Sequence, residues 1–278
     1  MSSSHILKGK DNTIWSQKEA DDDDPKIGRA SKQNVLKASP GVTSLAKRRI
    51  DTESPMSALS LFLDNNIIDH IIKCTEIEAR TKLDDSSWST NREEILRLFG
   101  VMYARGFIAK GQSTEHIWSK QWGASYFRET ISRDRYKELL RFLRFDVRST
   151  RSDRLKDDKF ALFSAVWNRF VENCQAYYNP YEDVTIDEQL FPTKARCPFT
   201  QYMASKPDKF GIKFWLAVDP KTKYCLNGFP YLGKDSLRPQ NQTLSEYVVL
   251  RLMEPYANKG CNATTDNFFP SVKLAEKL

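Results

Sequence analysis

The sequence predicts a mixed fold, of the α+β or α/β class, in which an all-α region precedes a domain built on a sheet. Two observations predict it. Between residues 54 and 178, apolar residues recur every three or four positions, which is the period of amphipathic helices. After Asn179-Pro180 the pattern changes to short runs of β-branched and aromatic residues separated by turns. We therefore divide the chain into a disordered tail (1–53), a helical region (54–178) and a sheet domain (179–278).

Composition limits the class of protein. The 278 residues carry a formal net charge of +7, which fits a nucleic-acid partner. No apolar run approaches the roughly 20 residues of a membrane-spanning helix, and the first residues lack the apolar stretch of a signal peptide. The cysteines number five, and no pair has Cys-x-x-Cys spacing. We therefore expect an intracellular protein with reduced thiols and no membrane partner.

The tail over residues 1–53 is rich in Ser, Lys and Asp and shows no apolar periodicity, so we expect no packed core there. Its acidic run, Asp21–Asp24, is typical of a solvated segment. Its basic cluster, Lys47–Arg49, suits nuclear entry, and a solvated surface explains it as well. The predicted location is the nucleus.

Five features predict the helices. Ser54-Pro55 is a suitable cap and first turn, and the apolar stripe continues through Ile67–Ile72. Thr90–Glu93 has the pattern of a capping box. Ser132 opens a helix whose outer side is basic, and apolar residues at helical spacing run through Phe160–Cys174.

The sheet domain is predicted to contain four strands and two helices. The strands are 184–191, 211–219, 224–231 and 262–269, and the helices are 244–253 and 271–278. The first three strands are linked by short connections and should be antiparallel, whereas the fourth follows a helix and should run parallel to the first. This β-β-β-α-β-α order places the first and fourth strands side by side in the sheet centre. It is the opening of an RNase H-like fold.

Two predicted strands each carry an acid that suits a metal site. Asp187 and Asp266 lie among β-branched or aromatic residues, where carboxylates are uncommon. Two carboxylates on neighbouring strands suit the divalent cations used in phosphodiester cleavage. The alternatives are a salt-bridged strand end for Asp187 and an Asx turn or a helix cap for Asp266. Glu188 falls on the opposite face of its strand and is predicted to be structural.

From about Ser54 onward the chain resembles piggyBac-type DDE transposases. Five ordered stretches carry the resemblance, and a weaker one lies in the helical region at Arg141–Asp146. The five stretches are Val184–Leu190, Arg196–Phe199, Lys206–Lys213, Tyr224–Gly233, and Thr264–Phe269 with the Ser-Val-x-Leu-Ala-Glu that follows it. The sequence departs from the family pattern at Ala195, at Thr200, where a basic residue is common, and at Ala204-Ser205.

The resemblance implies cut-and-paste DNA transposition by metal-dependent cleavage and strand transfer. Asp187 and Asp266 match the first two catalytic, metal-binding acids, and Mg²⁺ is the implied cofactor. The implied partners are DNA, as transposon ends and TTAA targets, and a second copy of the chain. The helical region 54–178 would serve dimerisation and DNA binding.

Basic residues gather after the first acid and form the candidate nucleic-acid contacts. They are Lys194, Arg196, Lys206, Lys209 and Lys213, with Phe199, Tyr202 and Phe210 among them. Lysine and arginine contact phosphates, and aromatic rings stack on exposed bases. The alternative is a solvated loop over the edge of the core. Arg133–Arg148 is a second candidate for phosphate contact, which a polar helix face explains equally well.

The third acid of the family would lie beyond Leu278, so we expect the RNase H-like domain to be C-terminally truncated in this chain. Two functions of different class follow. In the first, the chain is the N-terminal part of a DNA transposase that is active only as a longer chain. In the second, it is a catalytically inactive, transposon-derived remnant that binds DNA or a protein partner; a wholly non-functional fragment is the third alternative.

Overall fold

The computed structural model describes residues 6–9, 14–16, 35–195, 197–233 and 238–278. The described residues form two compact units. The helical unit comprises residues 49–173, and the sheet unit joins residues 174–278 to the described residues up to 48. Within the described residues, no helix has the length and apolar character needed to cross a membrane.

The described elements confirm a mixed fold of helices and sheet. In chain order they are β1 (Ile6–Lys8), β2 (Ile14–Ser16), β3 (Gly41–Val42), α1 (Ser44–Arg49), α2 (Pro55–Phe62), α3 (Asn65–Leu83), α4 (Arg92–Ile108), α5 (Thr114–Ile117), α6 (Ser125–Thr130), α7 (Arg133–Phe142), α8 (Arg151–Asp157), α9 (Ser164–Tyr177), β4 (Tyr178–Asn179), β5 (Asp183–Pro192), β6 (Thr200–Tyr202), β7 (Phe210–Val218), β8 (Cys225–Pro230), α10 (Leu244–Met253), β9 (Asn262–Thr265) and α11 (Val272–Ala275). Short 3-10 turns lie at Arg148–Thr150 and Glu254–Tyr256.

Side-chain caps begin the main helices of the helical unit. Asp64 accepts a hydrogen bond from the Ile67 N–H at the start of α3, and Ser132 accepts from the Arg135 N–H at the start of α7. Helix α4 begins one residue later than the predicted capping box implies, because Asn91 is the cap and accepts from the Glu94 N–H. Each cap satisfies a backbone donor that has no partner within its helix.

The sheet is mixed and places β5 between β7 and β9. β5 pairs antiparallel with β7 and parallel with β9. The other edge of β7 pairs antiparallel with β6 and then with β8. The first and fourth predicted strands, β5 and β9, therefore lie side by side as expected. Among the described residues β5 is the only strand that pairs with β9, so β9 lies at an edge of the described sheet and not at its centre.

One apolar core holds the sheet unit together. It joins buried strand residues such as Ile186 and Leu226 to Val248 and Leu252 of α10. Alternation along β5 sends Val184 and Ile186 into this core, because successive side chains of a strand point to opposite faces. The opposite face of β5, with Thr185 and Asp187, is thereby left outside the core.

The prediction of a disordered tail over 1–53 is wrong for part of the described segment. Strand β3 pairs with β4, and α1 follows it. The Lys37 N–H also donates to the Lys259 carbonyl. These contacts join residues far apart in sequence, which local periodicity does not reveal. β1 and β2 form a further two-stranded pair, and the acidic run Asp21–Asp24 lies outside the described residues.

Four other points of the fold differ from the prediction. The short strand β6 was not predicted, and β9 ends at Thr265 instead of continuing to Phe269. The last helix is α11, which is shorter than predicted and begins with Ser271 as its cap. The division between the units falls at residues 173 and 174, a few residues before the predicted boundary at 178.

Candidate functional site

Asp187 lies near the middle of β5 on the face that points away from the core. Its neighbour Ile186 is fully buried, whereas Asp187 is exposed. The Asp187 Oδ1 accepts a hydrogen bond from the Glu188 N–H at 2.7 Å. Asp187 pairs with Leu216 on β7, and the preceding residue, Ile186, pairs with both β7 and β9, so the backbone at the carboxylate is held in the sheet.

Asp266 is the first residue after β9, and it forms an Asx turn. Its Oδ1 accepts from the Phe268 N–H at 3.0 Å, and its backbone carbonyl accepts from the Phe269 N–H at 3.2 Å. The alternative of an Asx turn for Thr-Asp-Asn is therefore the observed backbone geometry. The exposed carboxylate keeps a second oxygen that no described N–H occupies.

The strand register brings Asp187 and Asp266 to adjacent positions. The last parallel pair of β5 and β9 is Ile186 with Thr265, and each acid is the next residue along its chain. Neighbouring strands lie about 5 Å apart, so both acids lie where the pairing of β5 with β9 ends. Within the described ranges neither carboxylate forms an ion pair.

The exposed carboxylates of Asp187 and Asp266 are a chemically suitable donor set for Mg²⁺. This ion prefers hard oxygen ligands and keeps several of its waters, so it needs few protein groups. In the part of the chain that the structure describes, no group of three or more His, Cys, Asp or Glu side chains is placed to hold a metal ion. Asp187 and Asp266 are the residues whose carboxylates could bind a cation at this site.

Trp215 fixes the turn that carries Asp266. It lies on β7, is almost fully buried and stands opposite Glu188 in the register. Its indole stacks on the Phe268 ring, with centroids 6.0 Å apart, and meets the Phe269 ring edge-on at 5.6 Å. Because Phe268 also donates its N–H to Asp266, the aromatic stack restrains the carboxylate through one intervening hydrogen bond.

Glu188 lies on the opposite face of β5 and binds two of the candidate DNA-contacting lysines. Its carboxylate is 3.7 Å from the Lys206 Nζ and 3.6 Å from the Lys213 Nζ. Lys213 also lies 3.8 Å above the Trp215 ring. Burial lowers the pKa of Lys213, although the charge of Glu188 acts in the opposite direction. Glu188 is thus placed as predicted, and Lys206 and Lys213 already have an anionic partner.

The remaining basic residues of the group differ from these two. Lys194 and Lys209 are exposed, and neither is in an ion pair with a described residue. Lys194 lines an open cavity of about 650 Å³ together with Thr200 and Phe210. Arg196, the fifth predicted contact, lies outside the described residues.

The basic stretch Arg133–Arg148 has several of its guanidinium groups in ion pairs. Arg135 binds Glu94 at 2.7 Å and Glu138 at 2.8 Å, and the hydrogen bond to Glu94 raises the pKa of Arg135 above its usual range. Arg144 binds the buried carboxylate of Glu78 at 2.9 Å. These contacts favour the alternative of a polar helix face for Arg135 and Arg144.

Two residues that shape the site were not predicted from the sequence. Trp215 was assigned only to an apolar strand, and the spacing of aromatic residues does not show which rings meet. Thr200 was noted only as a departure from a family pattern. Its Oγ1 is buried and has no hydrogen-bond partner among the described residues. Only the three-dimensional arrangement shows either feature.

Three comparisons place the chain among transposases. The model of a family described as Transposase IS4 matches residues 54–278. A solved structure, the cryo-EM piggyBac transposase synaptic complex with hairpin DNA, is 34% identical, with a TM-score of 0.79 over 87% of this chain and 51% of that one. The human PiggyBac transposable element-derived protein 3 is 23% identical over 231 residues, which are 81% of this chain and 38% of that protein.

The human chimeric ERCC6-PGBD3 protein matches at the same identity, with 21% of its length covered. The chain thus spans between about a fifth and a half of the length of the proteins it matches. The family match covers most of the chain and agrees with the resemblance found in the five sequence stretches. The chain belongs to the piggyBac-like transposase family.

Proposed function

We propose that this chain carries two metal-binding, catalytic acids of a piggyBac-like transposase, Asp187 and Asp266. The reaction is metal-dependent phosphodiester cleavage and strand transfer in cut-and-paste DNA transposition. One observation carries the proposal: two exposed acids, Asp187 and Asp266, each lie one residue beyond the last register pair of β5 and β9, which are adjacent strands.

The two carboxylates have a definite task in this chemistry. Divalent cations, when bound, would activate the attacking oxygen and stabilise the leaving oxygen of the phosphodiester. Asp187 and Asp266 hold the cation by charge and by oxygen donation. The paired backbone of β5 and the Asx turn of Asp266 restrict how far the carboxylates move, and a rigid scaffold preserves the geometry that cleavage needs.

The same proposal assigns roles to the rest of the chain. The order β5, β7, β8, α10, β9 and α11, with the short strand β6 inserted before β7, supports an RNase H-like catalytic domain, and the helical unit would contribute dimerisation and DNA binding. The substrates would be transposon ends and TTAA targets. Lys194 and Lys209 are the exposed cations suited to phosphate contact, and a nuclear location would follow from a DNA substrate in a nucleated cell.

The second candidate is a transposon-derived protein that binds DNA or a protein partner without cleaving. This second candidate is supported by the name of the human relative, which describes that protein as derived from a transposable element. The two candidates share DNA as a partner and differ in whether the carboxylates are used.

A nicking assay on a labelled DNA duplex that contains TTAA distinguishes the two candidate functions. Any nicking by the 278-residue chain should require Mg²⁺ or Mn²⁺, and Asp187→Asn and Asp266→Asn should each abolish it. Glu188→Gln is the matched control, because it removes the neighbouring carboxylate on the opposite face. Nicking that persists in Asp187→Asn would overturn the assignment. Under the second candidate, Asp187→Ala should leave binding to DNA or to a protein partner intact, and a loss of that binding would count against the second candidate.

A further inference from the structure

We propose that Lys213 is a positioning residue of the cation site formed by Asp187 and Asp266, and not a DNA contact. The inference rests on the proposed function, since it assumes that Asp266 binds a divalent cation. The charge of Lys213 and its place in the sequence predict a nucleic-acid contact. Its ammonium group instead has two partners within the sheet unit, Glu188 and Trp215.

The ammonium group of Lys213 is largely withdrawn from solvent. The side chain is 18% exposed, and its Nζ lies 3.6 Å from the Glu188 carboxylate. A phosphate of DNA would have to replace this carboxylate before it could pair with Lys213. Lys209, four residues earlier, is exposed and is in no ion pair with a described residue. Phosphate contact therefore fits Lys209 better than Lys213.

The same ammonium group lies over the indole ring of Trp215. Its Nζ is 3.8 Å from the ring centroid, well within the roughly 6 Å over which an aromatic face attracts a cation. Lys213 and Trp215 are two residues apart on β7, and side chains at that spacing point to the same face of a strand. The strand geometry therefore brings the cation and the ring together.

The orientation of this indole depends on the groups packed around it. The Nε1 of Trp215 is buried and has no hydrogen-bond partner among the described residues, although a buried indole N–H usually finds one. The angle of the ring is therefore set by the groups that touch its faces and edges. In the described part of the chain these include Lys213, Phe268, Phe269 and Tyr231.

Phe268 links the indole to Asp266. Its ring stacks on the indole with centroids 6.0 Å apart and planes 10° from parallel. The backbone N–H of the same residue donates to the Asp266 Oδ1 at 3.0 Å. Three consecutive contacts thus connect Lys213 to Asp266: a cation on a ring, a ring on a ring, and an N–H on a carboxylate. Loss of the cation should let the indole tilt, and the Asp266 turn should then lose part of its restraint.

Calorimetric titration of Mn²⁺ into the 278-residue chain tests this role. Lys213→Met removes the charge and keeps an unbranched side chain, and the affinity should fall about tenfold, as for other groups that orient metal ligands. Lys213→Arg keeps a cation that can lie on the indole and should restore most of the affinity. Circular dichroism should show that both variants are folded. Mn²⁺ affinity in Lys213→Met equal to that of the parent, or to that of Lys213→Arg, would overturn the proposal.

A second substitution tests the route through the indole. Trp215→Leu removes the ring over which the ammonium group lies, so adding Lys213→Met to it should cost no further affinity for Mn²⁺. Effects of substitutions at residues in contact are not additive, whereas two independent effects would multiply. A further loss of about tenfold in the double variant would show that Lys213 does not act through Trp215, and would overturn the proposal.

DNA binding in EDTA separates this role from phosphate contact. The probe is a paired duplex that contains TTAA, and its Kd is measured at several salt concentrations. Each phosphate contact adds about 0.9 to the slope of log Kd against log salt. Lys209→Met, the matched control in the same stretch, should lower the slope by about one contact, and Lys213→Met should leave it unchanged. An equal decrease in Lys213→Met would overturn the proposal.

The outcomes also separate this inference from the proposed function. A parent that binds no Mn²⁺ would overturn the cation site and, with it, the role of Lys213. A parent that binds Mn²⁺ only as tightly as Lys213→Met does would overturn that role alone. Glu188→Gln should bind Mn²⁺ like the parent, because its amide oxygen can still accept a hydrogen bond from the ammonium group.

Discussion

The indole ring of Trp215 stacks on the ring of Phe268, with centroids 6.0 Å apart and planes 10° from parallel. Phe268 lies two residues after Asp266 and donates its N–H to that carboxylate. β7, which carries Trp215, does not pair with β9, which carries the turn. The aromatic contact is therefore a direct side-chain link between the Asp266 turn and a strand on the other side of β5.

We predict that this stack sets how well Asp266 binds a cation. Trp215→Leu removes the flat face on which Phe268 rests, so the turn should sample more conformations. Affinity for Mn²⁺, measured by isothermal titration calorimetry, should fall by about tenfold, as it does when groups that orient metal ligands are removed. Trp215→Phe keeps an aromatic face and should restore most of the affinity. Equal affinity in Trp215→Leu and the parent, with both folded, would show that the stack does not position Asp266.

Gly211 allows β5 and β7 to approach closely. A Cβ at this position would overlap the backbone carbonyl of Phe191 on β5, and a backbone group cannot move aside as a side chain can. Gly211→Ala should therefore lower the free energy of unfolding of the sheet unit by about 1–3 kcal/mol, the usual cost of overpacking. Chemical denaturation monitored by circular dichroism measures the change.

The control for that prediction is Gly106→Ala in helix α4. A Cβ there meets no atom within 4 Å, so alanine gains helix propensity without a clash. We expect an increase in stability of about 0.5–1 kcal/mol. A loss of stability in Gly106→Ala as large as that in Gly211→Ala would contradict the steric explanation.

Asp146 should make the helical unit sensitive to acid. Its side chain is 4% exposed and binds Arg151 and Arg154, each at 2.7 Å. Burial raises the pKa of Asp146, but the hydrogen bonds from Arg151 and Arg154 outweigh it and leave the pKa below its usual value. The stabilisation is therefore fully present above about pH 4, the pKa of an unfolded aspartate, and is lost as the pH falls through the folded-state pKa.

Asp146→Asn tests this assignment. At pH 7 it should lower the free energy of unfolding by about 2 kcal/mol, since it removes hydrogen bonds to charged groups. The difference in free energy of unfolding between the parent and Asp146→Asn should become smaller as the pH falls below about 4. Asp153→Asn is the matched control on α8, because its ion pair with Lys156 is exposed and contributes little. A difference in free energy of unfolding that stays constant from pH 7 to below about pH 4 would contradict the role given to Asp146.

The strands with long runs of β-branched and aromatic residues were predictable from the sequence. The bounds of β5, β7 and α10 lie within a residue or two of those predicted, since their alternation or helical period extends over many residues. The acids were found because a carboxylate within such a run is unusual. The parallel pairing of β5 with β9 followed from the intervening helix α10.

The features that were not predicted depend on contacts between distant residues. β3 exists because Gly41 and Val42 pair with Asn179 and Tyr178. Phe268 and Phe269 have the composition of a strand, yet they follow an Asx turn and pack on Trp215. Local patterns show the residue type and the period, whereas these outcomes are decided by tertiary partners.

We claim that Asp187 and Asp266 together bind a divalent cation, and calorimetric titration of Mn²⁺ into the 278-residue chain measures this binding. We predict measurable binding by the parent and by Glu188→Gln, whose lost carboxylate lies on the opposite face of β5. Binding should be lost in Asp187→Asn and again in Asp266→Asn. A parent that binds Mn²⁺ no more tightly than the variant carrying both Asn substitutions would contradict the claim.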